Sequence, residues 1–246
     1  MNNSGSLQQV APSTKALRDS YDTLYRGWLG SNRNTGQARQ ILDKLHVHSG
    51  VLLDVACGLG YLLDMAEDRG VRALGLDISR VALRTAKKEN PSRRVLLGDG
   101  EHIPLPSESF DFVVCLGSLE HFIDPEQGLH EMHRVLKPEG RLAILLPNSH
   151  HLLAIYNVIV TGGILSELQD FERFATPLEW QHLLERNGFK VMSVHKYNVG
   201  FSRFFRRGRG VFWYLYNILF RLAGDFWIPR NLSFSLTYIC EKGPVS

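Results

Sequence analysis

Residues 51–60 read Val51-Leu52-Leu53-Asp54-Val55-Ala56-Cys57-Gly58-Leu59-Gly60, and this stretch decides the fold. Its first five residues are apolar around a single acid, the pattern of a strand buried on both faces of a parallel sheet. The run breaks into a turn of small residues, 56–60, and an apolar helical segment follows at 61–66. A strand, a tight glycine turn and a helix N-terminus together bring bare backbone N–H groups close to a ligand. The next apolar run, Ala73-Leu74-Gly75-Leu76, ends at Asp77, nineteen residues after Gly58. An acid at the end of a second strand can accept hydrogen bonds from ribose hydroxyls. The two segments predict a nucleoside-binding βαβ unit. A packing turn with no ligand is the competing reading of the loop alone.

A dinucleotide fingerprint needs G-x-G-x-x-G. From Gly58 the chain offers Gly-Leu-Gly-Tyr-Leu-Leu, so Leu63 stands where the third glycine belongs. Further segments follow in order. Leu97-Gly98-Asp99-Gly100 closes a third strand and leads to Ile103-Pro104-Leu105-Pro106. A fourth strand, 109–116, runs into Gly117-Ser118-Leu119-Glu120-His121-Phe122. A helix then ends in Leu136-Lys137-Pro138-Glu139-Gly140-Arg141, and a fifth strand spans 142–146.

In order, spacing and wording these segments resemble the class I S-adenosylmethionine-dependent methyltransferases, specifically their ubiquinone/menaquinone-biosynthesis-type branch. Residues 54–60 match the D-x-G-x-G-x-G loop of that family, with Ala56 in the first glycine place. The alanine predicts that this position needs no positive φ. The resemblance covers 36–148 strongly and 170–198 more weakly. It implies a Rossmann-like α/β fold: a seven-stranded mixed sheet of order 3-2-1-4-5-7-6, the last strand antiparallel, with helices on both faces.

The resemblance also implies a donor site. Asp54, Ala56, Gly58 and Gly60 would face the methionine moiety, with Asp54 accepting from its ammonium group. Asp77 would hold the ribose diol and Ile78 would pack on the adenine. Asp99 would accept from the adenine amino group, with Gly100 leaving room for the ring. Leu116 and Gly117 would lie beneath the sulfonium. In relatives a tyrosine on an N-terminal helix closes over the cofactor, and Tyr25 of Tyr21-Asp22-x-x-Tyr25 matches it. An ordinary amphipathic face is the alternative for that helix.

His121 is the candidate general base. It follows strand four, at the carboxyl edge where open α/β sheets place ligands. An imidazole suits proton removal from a hydroxyl or activated carbon acid near neutral pH. A histidine that only packs or hydrogen-bonds locally is the alternative. Glu120 reads as a solvated acid at a helix start. His130 and His133 share a helix face and His150-His151 are adjacent, but H-E-x-x-H is absent and no metal site is expected.

The 246 residues suit one α/β domain over 13–246, after a polar tail at 1–12 expected to be disordered. A net charge of +3 is too small to argue for nucleic acid. Cys57, Cys115 and Cys240 lie in or beside strand-like segments, which favours reduced thiols and a cytoplasmic setting. No apolar run reaches the length of a membrane span, about 18 residues.

Local signals place the remaining elements. Ser79 can cap a helix facing inward with Ala82 and Ala86. Asp124-Pro125 opens a helix with Leu129, Met132 and Leu136 on one face. Thr176-Pro177-Leu178-Glu179 is a capping box, and Gly188 suits the C-terminal cap. Strands six and seven fall at 191–197 and 234–240.

Two insertions exceed the minimal fold. Residues 150–173 hold the apolar run 152–160. Residues 200–231 interleave Phe201, Phe204 and Phe205 with Arg203, Arg206, Arg207 and Arg209, then turn apolar over 211–222. A buried acceptor lid, a membrane-surface element contacting lipid through 201–222, and a protein-binding helix are the three readings. The first two merge for a lipid-linked or quinone-like acceptor.

No Asn-Pro-Pro-Tyr-like or Pro-Cys motif follows strand four, which argues against base methylation in nucleic acid. The expected function is therefore methyl transfer from S-adenosylmethionine to a small-molecule or lipid-like acceptor. A nucleoside-binding protein without catalysis and an RNA methyltransferase are the alternatives, the latter disfavoured by the low net charge.

Overall fold

The computed structural model describes residues 12–27, 35–162, 173, 175–197 and 227–243. In chain order the elements are α1 (Thr14–Gly27), α2 (Thr35–Lys44), β1 (Val51–Val55), α3 (Tyr61–Glu67), β2 (Arg72–Asp77), α4 (Arg80–Glu89) and β3 (Val95–Leu97). They continue with β4 (Phe110–Leu116), α5 (Pro125–Val135), β5 (Leu136–Pro147), α6 (Leu152–Thr161), α7 (Pro177–Arg186), β6 (Phe189–Tyr197) and β7 (Ser235–Lys242).

The strands form one sheet in the order β3-β2-β1-β4-β5-β7-β6. The β1, β2, β3, β4 and β5 ladders are parallel, while β7 runs antiparallel to both β5 and β6. The predicted sheet and strand order are therefore present.

Alternation along β1 and β4 builds a core on each face of the sheet. Leu52 and Val114 join Ala38, Ile41 and Leu42 of α2 and Leu62, Leu63 and Ala66 of α3 on one side. Leu53, Val55, Val113 and Cys115 join Leu129 and Met132 of α5 and Trp180, Leu183 and Leu184 of α7 on the other. Met132 and Leu129 are fully buried, so truncating either to alanine would cost about 2–5 kcal/mol.

The helix signals hold where side chains cap the backbone. Ser79 accepts from the Ala82 N–H at 3.1 Å, and Asp124 from the Gln127 N–H at 3.0 Å. Thr176 and Glu179 make the reciprocal capping box, and Gly188 turns the chain beyond α7 at φ 83°.

One expectation needs correction here. Leu136 is not on the α5 face: it is already extended and pairs with Phe110, so β5 begins six residues before 142. The ladder shifts register before resuming at Phe112 opposite Arg141, and Pro138, which has no N–H to donate, falls within that irregularity. The 150–173 insertion contains α6, whose Tyr156, Ile159 and Val160 are exposed. Residues 1–11, and 198–226 within the C-terminal insertion, lie outside the described residues.

Candidate functional site

The carboxyl ends of β1, β2 and β4 lie side by side, with Val55 opposite both Leu76 and Cys115. The loop after β1 is left-handed at three alternate positions: Ala56 at φ 59°, Gly58 at φ 54° and Gly60 at φ 74°. The expectation that Ala56 needs no positive φ is therefore wrong. That conformation costs an L-residue about 1–2 kcal/mol. Surrounding backbone bonds hold it: Cys57 N–H donates to the Leu76 carbonyl at 3.0 Å and Gly60 N–H to the Cys57 carbonyl at 2.9 Å. A side chain at Gly58 would meet the Tyr25 hydroxyl at 2.6 Å, and one at Gly60 would meet Leu63 and Arg93.

Asp77 closes this loop from β2. Its Oδ2 accepts from the Gly58 N–H at 2.7 Å and its Oδ1 from the Ser79 N–H at 2.8 Å. The carboxylate retains acceptor capacity for a diol. Burial raises the Asp77 carboxyl, and these two N–H bonds oppose the rise.

Asp54 is only 5% exposed. Burial first, and then the charge of Asp77, push its carboxyl up to about 8. Two buried acids beside a left-handed glycine loop repel each other unless a cation joins them.

Helix α1 lies across this loop. Asp22 accepts from the Ser79 hydroxyl at 2.6 Å and from the Val81 N–H at 3.1 Å, docking α1 on the start of α4. That contact sets Tyr25 over Gly58 and places Tyr21 edge-on to the His121 ring, with centroids 6.5 Å apart. Burial, and then the carboxylate of Asp77, raise the Tyr25 phenol, which keeps it a neutral donor.

After β4 the chain passes through Gly117, at φ 64°, into a 3-10 turn, Leu119–His121. Glu120 and His121 are 4% and 6% exposed, and Glu120 Oε1 lies 3.8 Å from His121 Nε2. Glu120 is thus not the solvated acid expected from the sequence: the tight turn folds its side chain inward.

Asp99 accepts from the Glu101 N–H at 2.9 Å. The space that a side chain at Gly100 would need is not open: Phe122 would lie 2.5 Å away and Val55 3.0 Å. The packing of Phe122 by itself calls for a glycine there. Ile78 and Leu116 are half-buried at the ends of their strands.

The histidines outside this edge serve the frame. His133 Nε2 lies 3.0 Å from the Gly243 carbonyl oxygen, and His151 Nδ1 caps the Ala154 N–H. His150 pairs with Ser149 and His130 is exposed. Among the described residues no group of three His, Cys, Asp or Glu side chains is arranged to hold a metal ion.

Sequence reasoning missed Arg93. Its guanidinium takes Asp64 in a fork and donates to the Leu59 carbonyl at 2.7 Å, holding the loop from behind. Beside Arg94, ahead of the third strand, it looks like ordinary surface charge. Glu101 and Arg173 were missed for the same reason: their partners are backbone groups distant in sequence.

The sheet order, the loop after β1 and the acid ending β2 define a Rossmann-like methyltransferase frame. The methyltransferase domain family matches residues 53–144. The chain is 30% identical over 196 residues to a demethylmenaquinone methyltransferase of Lactobacillus johnsonii, covering 67% of this chain and 78% of that protein. It is also 30% identical over 138 residues to the Paenarthrobacter aurescens demethylmenaquinone methyltransferase, covering 54% of each protein. A malonyl-acyl-carrier-protein O-methyltransferase of Serratia marcescens is 32% identical over 142 residues, 56% of this chain and 52% of that protein. The alignments thus span about half the length of two of these three relatives.

A methyltransferase structure from Archaeoglobus fulgidus superposes with a TM-score of 0.61 at 18% identity, covering 90% of this chain and 98% of that one. One from Mesorhizobium loti gives 0.60 at 17%, covering 87% and 100%. These two show the fold. The chain belongs to the class I S-adenosylmethionine-dependent methyltransferases, in the branch that includes quinone-biosynthesis enzymes. S-adenosylmethionine is the methyl donor of that family.

Proposed function

We propose that the chain transfers a methyl group from S-adenosylmethionine to a small, lipid-like acceptor bearing an ionisable hydroxyl or activated carbon. The observation that carries this reading is the Asp54–Asp77 acid pair around the left-handed loop. A ligand with an ammonium and a ribose diol answers both acids at once, so the residues present fit the donor. The acceptor class follows from relatives whose names place them in menaquinone and ubiquinone biosynthesis.

The donor supplies an activated methyl on a sulfonium, and no metal is needed for its transfer. The protein's share is to bind, align and exclude water. Asp77 holds the ribose diol while keeping Gly58 in place. Asp54 would release its proton to solvent and face the ammonium group. Asp99 would accept from the adenine amino group, beside Ile78. Tyr25, docked through Asp22, closes the loop from above. His121, in the turn after β4, would take the acceptor's proton as the acceptor–methyl bond forms and the methyl–sulfur bond breaks to leave a neutral thioether. Glu120, 3.8 Å from that imidazole, steadies the cation that results.

A peripheral membrane contact is the companion reading. It is favoured by the exposed apolar residues of α6 and by Trp227, 77% exposed. Among the described residues no helix is long and apolar enough to cross a membrane.

The test is transfer of isotope from methyl-labelled donor into a lipid extract and, separately, an aqueous extract. Label should enter the lipid fraction, and mass spectrometry then gives the acceptor. Label in the aqueous fraction alone, or loss of incorporation after nuclease treatment, rejects the lipid-like acceptor. Donor binding with no transfer to either extract favours the non-catalytic alternative.

A further inference from the structure

The turn that carries His121 is held from two sides by charged groups. Glu101, 8% exposed, accepts from the Ile123 N–H at 2.7 Å with Oε1 and from the Asp124 N–H at 3.1 Å with Oε2. Gln127 adds a bond to the Glu101 carbonyl at 3.1 Å. From the other side the Arg173 guanidinium forks onto the carbonyls of Phe122 and Ile123. The Arg173 backbone N–H donates to the Glu120 carbonyl at 2.9 Å. Arg173 also feels the charges of Glu101 and Asp124 across the turn.

A three-residue 3-10 turn has poor internal hydrogen-bond geometry and does not hold itself. Within the turn, His121 N–H donates to the Ser118 carbonyl at 3.0 Å and Phe122 N–H to the Leu119 carbonyl at 3.1 Å. The Phe122 ring is wedged beside it, against Gly100 and Gly128, where any side chain would lie 2.5 Å from the ring. Glu101 and Arg173 complete the enclosure. A planar guanidinium can serve two carbonyls at once, which an ammonium cannot do in a fixed geometry.

We infer that Glu101 and Arg173 are positioning residues for His121, fixing the turn that carries its imidazole. This rests on the reading of His121 as the base. Glu101 is two residues beyond Asp99, whose carboxylate accepts its N–H. One short segment therefore meets the adenine in the proposed site and also holds the base. A misplacement of about 1 Å at a reacting group costs about a hundredfold in rate, so the clamp has a kinetic consequence without touching substrate.

The test uses the full chain and the variants Arg173→Ala, Arg173→Lys and Glu101→Gln. The ring resonance of His121 is assigned by its loss in His121→Gln and followed by NMR in donor-free and donor-bound protein. Methyl transfer is measured with a soluble naphthohydroquinone as probe. Arg173→Ala should shift and broaden the His121 resonance and lower kcat about ten- to a hundredfold, with the donor Kd within about twofold of wild type. Arg173→Lys should recover part of both, because charge returns without the fork. A His121 resonance and titration midpoint unchanged in Arg173→Ala overturns the inference. If Arg173→Ala does not fold, an unchanged resonance in both Arg173→Lys and Glu101→Gln overturns it equally. If His121→Gln leaves turnover intact, the reading of His121 as base fails, while the resonance still decides whether the clamp holds the ring.

Discussion

Asp77 Oδ2 accepts the Gly58 N–H at 2.7 Å, so the acid that ends β2 and the glycine loop that follows β1 are a single unit. A change at either end moves both. The loop's conformation is set by a buried carboxylate, not by glycine content alone.

Asp77→Ala therefore removes a ribose partner and a loop support together. Donor affinity should fall about tenfold to a hundredfold, corresponding to about 1–3 kcal/mol. Asp77→Asn keeps one carbonyl acceptor and should lose less. Calorimetry decides: unchanged affinity in Asp77→Ala removes the residue from the site. Faster amide exchange at Gly58 in the same variant would report the lost loop contact.

Ala56→Gly should stabilise the protein. The alanine sits at φ 59°, where its Cβ crowds the backbone and a glycine would not. Part of that gain is offset by the freer unfolded chain, leaving about 0.5–1 kcal/mol and a rise of about 1–4 °C in Tm. Gly60→Val should do the reverse, since φ 74° and the neighbouring Leu63 and Arg93 both oppose a branched side chain. A thermal melt showing no gain in Ala56→Gly would mean the loop relaxes at no cost.

The parts legible in sequence were those written in local or periodic terms. Ser79, Asp124 and Thr176 announce helix starts because a cap needs only a side chain and the next few N–H groups. The order of glycine turns, acids and apolar runs from Asp54 to Leu146 carried the family resemblance, and that resemblance implied the sheet order. What escaped was set by distant contacts. Ala56 was misread because its φ is imposed by the hydrogen bonds of its neighbours, not by its own identity. Glu120 was misread because an acid at a turn looks solvated until the turn folds inward. Arg93, Glu101 and Arg173 bind backbone carbonyls or N–H groups from other segments, and nothing local marks such partners.

Asp54 predicts a pH dependence. Its carboxyl is raised to about 8 in the fold, above its ordinary value of 3.8, so the folded state binds the proton more tightly than the unfolded chain. Stability attributable to this group is full below the unfolded value. It falls as pH rises through that window and stops changing above the folded value. Asp54→Asn should flatten this slope and be more stable than wild type at about pH 8–9. Bringing an ammonium to Asp54 should expel its proton. Calorimetry at pH 7 in buffers of different ionisation enthalpy should show release of up to about one proton on donor binding, vanishing in Asp54→Asn and near pH 9. Binding with no proton release at pH 7 would mean the acid is already ionised.

The last prediction concerns the surface around the acceptor side. Tyr156, Ile159 and Val160 of α6 are 61%, 78% and 60% exposed, and no residue of α6 is charged. The sequence adds Arg203, Arg206, Arg207 and Arg209 among phenylalanines, outside the described residues. If these segments meet a membrane, binding should have two separable parts. The arginine part is Coulombic, worth about 1 kcal/mol per residue at an anionic surface, and weakens with salt. The α6 part is apolar and insensitive to salt. Co-sedimentation with vesicles of neutral or anionic lipid resolves them. Replacing the four arginines together should abolish the preference for anionic vesicles, and Ile159→Asp with Val160→Asp should weaken binding to both kinds. Donor affinity should survive in each variant, because none of the substituted residues belongs to the proposed donor site. Wild type that ignores anionic vesicles at low salt ends the membrane reading and leaves the buried lid as the role of 201–222.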